Sequence, residues 1–180
     1  MVKASMNMKV SVVAITTVVM TLFIASAGVV GSTVFAQQSQ NAHFIADLSG
    51  KSAIPPNLST QATGKAIFTV TDGGKKMLYS VNATKINHVD NVVLVFSAGP
   101  PGSGHRANNV VLLRLGSQQG ATGPINGLLV QGNITSSSLV GPLKGKQISD
   151  LVKDMLDGKI DLWVTTTNGL MIAGKVTPAV

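Results

Sequence analysis

The segment Gly64–Ala83, GKAIFTVTDGGKKMLYSVNA, reads as two strands around a turn. Ala66, Phe68 and Val70 fall at every second position in its first half, and Met77, Tyr79, Val81 and Ala83 do so in its second. A period of two places each set on one face of an extended chain. Between them Asp72, Gly73 and Gly74 form a turn in which glycine supplies positive φ at no steric penalty. The segment is therefore expected to be a β-hairpin with one apolar face, and that face needs further strands to cover it.

Such strands are legible on both sides. His43–Leu48 alternates, with Phe44, Ala46 and Leu48 on one side. Pro55 and Pro56 cannot donate to a ladder, so the chain between this strand and the hairpin is an edge or a loop. Asn91–Ser97, NVVLVFS, is a short run of β-branched and apolar residues, as in a strand buried on both faces. Val110–Leu115 and Ile125–Ile134 follow, separated by the polar, Gly-rich loops 98–109 and 116–124. Ile160–Thr167 and Leu170–Thr177 flank Asn168-Gly169, a strong hairpin signal. One helix interrupts this pattern. Ile148, Leu151, Val152 and Met155 make an i, i+3, i+4, i+7 stripe. Ser149 is its expected N-cap, and Gly158 its stop. Seven or eight short strands with one late helix predict a mainly β fold: an antiparallel, Greek-key-like β-sandwich or flattened barrel.

Composition agrees. The 180 residues contain no Glu and no Cys, and only 12% are charged. The core must come from Val, Ile, Leu and Ala, since Trp, Tyr and Phe number one, one and five. Without Cys there are no disulfides, thiolate metal sites or Cys nucleophiles.

The N-terminus has a different character. MVKASMNMK carries two positive charges, and Val10–Ala36 carries none. The run ends in Val34-Phe35-Ala36 before the polar QQSQN. This is the layout of a secretory signal peptide, with cleavage expected after Ala36. The run is also long enough to span a bilayer as a retained anchor helix. Either way residues 37–180 would lie outside the cytoplasm. The expected organisation is a signal or anchor at 1–36, a linker at 37–42 and a β domain at 43–177. Without the leader, twelve basic residues face seven acidic ones, with no basic cluster longer than Lys75-Lys76. Nucleic-acid binding is not expected from so dispersed a charge.

Phe44, Ala46, Leu48-Ser49-Gly50, then Pro55-Pro56, then Thr60, Ala62-Thr63-Gly64, Ala66 and Phe68 resemble the start of the CHRD domain, the module named after chordin. LYSVNATKI, with Leu78, Tyr79 and Val81, resembles that family's next strand. The Gly-rich loop before VVLLRL, the late helix and the closing hairpin keep its order, so the similarity spans roughly residues 43–176. The resemblance implies an extracellular, non-enzymatic module. The family's polar motifs are altered. Its His-x-His motif corresponds here to the neighbourhood of Leu94, Val95 and Phe96. Thr165 stands for a His, and Met171 and Ala173 stand for a Glu and an Arg, while Gly174 is retained.

Catalytic patterns are missing from the sequence. There is no G-x-S-x-G elbow, and GPPGSGH lacks the Gly-Lys-Ser/Thr ending of a phosphate loop. No cofactor is expected. His43, His88 and His105 are scattered. His88, Asp90 and His105 are the nearest thing to a metal set, although a metal needs three or four donors. Asn57, Asn82 and Asn133 begin N-x-S/T sequons and are glycosylation candidates in an exported chain. The expected function is an exported, non-enzymatic binding or cell-envelope domain, its partner an extracellular protein or envelope polymer. The alternatives are a metal-binding or redox protein using those three residues, and an envelope protein that self-associates through an edge strand near the prolines.

Overall fold

The computed structural model of the chain describes residues 42–53, 56–97, 108–113, 124–167, 169 and 171–179. The leader, His105 and most of both Gly-rich loops lie outside these residues. Among the described residues no helix is long and apolar enough to cross a membrane.

Nine strands form one antiparallel sheet: β1 (His43–Ser49), β2 (Thr63–Thr71), β3 (Lys76–Ile86), β4 (Val89–Phe96), β5 (Asn108–Leu113), β6 (Ile125–Thr135), β7 (Ile160–Thr166), β8 (Met171–Lys175) and β9 (Thr177–Pro178). Their order is β5-β4-β7-β8-β1-β2-β3-β6, with the short β9 also on β1. The predicted hairpin is β2–β3, and its two apolar sets pair with each other: Val70 faces Met77, Phe68 faces Tyr79 and Ala66 faces Val81. β4 is buried on both faces, as its composition predicts: Val92, Val93, Leu94 and Val95 are all buried.

The strip consists of two four-stranded halves, β5-β4-β7-β8 and β1-β2-β3-β6. They wrap around a common core that includes Phe44, Phe68, Met77, Leu94, Ile134, Leu162 and Ile172. This nearly closed, flattened barrel reconciles the sandwich and barrel readings. Among the described residues strand pairing joins the halves on one side only. Ser49 of β1 pairs with Ala173 of β8, and Phe44 and Ile45 pair with Pro178 and Thr177 of β9. The closing strand is thus two strands rather than the one expected over 170–177. It breaks at the buried Val176, whose N–H donates to the Ile160 carbonyl. That bond still holds the chain to the start of β7; the next two residues, Thr177 and Pro178, pair with β1.

The helix α1 (Ile148–Leu156) lays Ile148, Leu151, Val152 and Met155 into the core. It starts earlier than expected. Gln147, not Ser149, is the N-cap, and its N–H donates to Asp150 Oδ2 at 2.9 Å. Starting there brings the buried Ile148 into the first turn, so the whole apolar stripe is helical. Ser136 Oγ donates to Gln147 Oε1 at 3.2 Å, tying this end of the helix to the turn after β6.

Gly50 and Gly174 are among the glycines that sit where no side chain fits. A Cβ on Gly50 would press into the carbonyl oxygen of Asn57, and one on Gly174 into that of Asp47. Gly174 lies at the join of the two halves, so neither backbone can yield without parting them. Gly174→Ala is expected to destabilise the protein by about 1–3 kcal/mol, the range for overpacking, read as a lower urea midpoint. Leu156→Ala, at a half-exposed position, should leave the midpoint nearly unchanged.

Candidate functional site

On the side opposite the join, β5 and β6 end the strip, and no pairing links them among the described residues. Between them lies a groove of about 670 Å³. Val111, Leu112 and Leu113 form one wall, and Gln131, Gly132, Asn133 and Ile134 the other. Tyr79 from β3 lies beneath Gly132, where a Cβ would come within 2.7 Å of its hydroxyl oxygen. The missing side chain at 132 leaves room for the ring.

The chain itself closes one end. Thr135 N donates to Ser138 Oγ at 3.2 Å, fixing the 3-10 turn Ser136–Ser138 that follows β6. Leu139 and Val140 are then extended, and Val140 N donates to the Val110 carbonyl at 2.9 Å. That carbonyl is available because of a β-bulge. The β4–β5 register skips Val110, so Asn109 faces Val95 while Val111 faces Leu94. A bulged residue is unpaired with its neighbour strand and can be aimed elsewhere.

The groove is amphipathic, and its described lining residues carry no formal charge. Val111, Leu112, Leu113, Ile134 and Val140 supply apolar surface, and Gln131, Asn133, Ser137 and Ser138 supply amides and hydroxyls. Leu112, next to last in β5, is 56% exposed, which is unusual for a leucine within a strand. The charged network lies elsewhere, past the end of α1. There hydrogen bonds from Lys159 and then Lys153 hold the exposed Asp157 carboxyl below its ordinary pKa. Such exposed pairs add little to stability.

Sequence reasoning did not find this groove. Its walls come from strands that are neighbours only through the order of the sheet. The exposed Leu112 within VVLLRL was the one available signal, and alternation alone could not assign it to an open edge.

The altered motif positions lie mainly on the outer face of β4, β7 and β8. Thr165 is half-buried there, facing Asn91 and Met171 across the sheet. Trp163 stands between Val93 and Ala173. Leu94 belongs instead to the core, and Phe96 packs against that core. A His-x-His pair sharing a face with Thr165 would therefore stand at 93 and 95. Both positions are buried valines.

The sequons differ in setting. Asn82 is exposed on β3, and Asn133 is exposed on the groove wall. Asn57 is half-buried, and its Oδ1 accepts from Ser59 Oγ at 2.8 Å.

The family model for the CHRD domain matches residues 44–176, well over half of the chain. Comparison with curated proteins and with solved structures found no match.

The histidines are not gathered. His43 is exposed and lies 3.2 Å from Thr69 Oγ1. His88 sits in the two-residue crossover from β3 to β4 with a left-handed backbone, φ 51°. Its carbonyl accepts from Thr167 N at 2.9 Å. Asp90 is exposed, and its Oδ2 accepts from Asn91 Nδ2 at 2.6 Å. Among the described residues no three His, Asp or Glu side chains come together as metal ligands. What this region does contain is two buried polar atoms without a hydrogen-bond partner, His88 Nδ1 in the crossover and Thr166 Oγ1 on β7, opposite Val89. An unsatisfied buried hydroxyl is destabilising. Thr166→Val is expected to raise stability by about 1 kcal/mol, seen as a higher urea midpoint with an unchanged slope. A clear loss would show that the hydroxyl is satisfied in solution.

Proposed function

The chain belongs to the CHRD family, and we propose that it is an exported, non-catalytic binding module whose contact site is the seam between β5 and β6. Domains of this family are in general non-enzymatic binding modules of extracellular or secreted proteins. The charged N-terminus, uncharged run and small residues before Gln37 support export. The partner belongs to the extracellular space or the cell envelope.

The observation that carries this reading is the open groove. Two facing strand edges beside the exposed Leu112 and Val140 are surfaces that soluble proteins usually cover. Among the described residues every other pair of neighbours in the strip is joined by strand pairing.

A photo-crosslinking amino acid at Leu112, introduced into the full chain in its own cells, tests both parts. The chain is expected outside the cytoplasm, its mass starting at Gln37 if the leader is cleaved. Crosslinked products should form from position 112 and not from position 58, an exposed site in the loop that packs on Gly50. A cytoplasmic chain, or equal products from both positions, would contradict the proposal.

A further inference from the structure

The geometry points to a strand of polypeptide as the occupant of the seam: an extended, uncharged segment of a partner protein, added between β5 and β6. This inference rests on the reading of the seam as the contact site and specifies what fills it.

Three observations carry it. First, the seam is bounded by two backbone edges. In an antiparallel strand alternate residues turn both their N–H and C=O groups toward the same neighbour. Some main-chain donors and acceptors of Val111–Leu113 therefore face the groove, as do some on the free edge of β6. One extended backbone can satisfy both edges at once. Second, the chain already shows this mode of pairing. Leu139 and Val140 are extended and lie against the free edge of β5 through the Val140 N to Val110 O bond. An added strand would continue the same line of pairing from Val110 toward Leu113. Third, the described lining residues include no charged side chain, so among them a charged segment would lose its hydration without a counter-charge. Successive side chains of a strand point to opposite faces. The occupant should therefore alternate, with apolar residues turned inward beside the core residues Val111, Leu113 and Ile134 and neutral polar residues on the outer face beside Leu112 and Asn133.

The test uses the intact chain and a pool of capped, uncharged heptapeptides in which Val or Ile alternates with Thr or Ser. Binding is read by amide hydrogen exchange. The expected result is saturable protection at 111–113 and 131–134. Leu112→Lys places a charge on the edge at an exposed position, where the fold tolerates it, and should weaken binding by about tenfold or more. Leu58→Lys adds the same charge on the opposite side and should leave binding unchanged.

Protection elsewhere, or none, overturns strand addition. So does protection of the same residues by a neutral oligosaccharide such as maltohexaose but not by the peptides; the seam would then remain the contact site with a different ligand. Concentration-dependent protection without peptide would make a second copy of the chain the occupant and overturn the partner-segment reading. If the peptides fail and position 112 also gives no crosslinks, the seam reading falls with it.

Discussion

The close approach of β8 to β1 is the constraint on which the rest of the structure depends. The two halves of the sheet meet through the Ser49–Ala173 pair and two residues of β9. They come that close because Gly174 has no side chain to hold the Asp47 carbonyl away. The break at Val176 carries the chain across to β1. With the halves joined on this side, Phe44 and Phe68 from one and Leu94 and Leu162 from the other fill a single core. α1 adds four apolar side chains to it. The opposite side need not join, and between β5 and β6 no pairing is present among the described residues.

Each edge of the seam has a local cause. On β5 a bulge frees the Val110 carbonyl, and Val140 takes it. On β6 Gly132 gives its side-chain space to Tyr79. The 3-10 turn after β6 then directs Leu139 and Val140 along β5 for two residues before the chain leaves toward α1. The groove is what remains beyond that short contact. Its exposed leucine and neutral polar side chains suit an uncharged ligand better than a metal or an anion.

Strands whose apolar residues alternate were legible in the sequence: β1, β2, β3 and β7 lie close to their expected bounds. So was the helix stripe. These features depend on neighbours in sequence. The N-cap was misplaced because the intrinsic preference of Ser149 yielded to burial of Ile148, a tertiary effect. The split of the last strand at Val176 was hidden because no turn dipeptide marks it. The seam was hidden most completely. β3–β6, β4–β7 and β1–β8 are all non-local pairings, and the strands left unpaired emerge only when every other pairing is known. The retained glycine at 174 was visible as part of a resemblance, but its physical reason, the Asp47 carbonyl, was not.

The central claim is that the barrel is held shut at β1–β8 and open at β5–β6. Native-state amide hydrogen exchange of the intact chain, resolved by residue, tests it most directly. Edges without partners open locally at low free energy, whereas paired central strands exchange only through global unfolding. The account predicts high protection through β1, β2 and β7 and markedly lower protection at the groove-facing amides of Val111–Leu113 and of β6. Protection of those amides equal to that of β2 would mean the seam is closed in solution and would contradict the account.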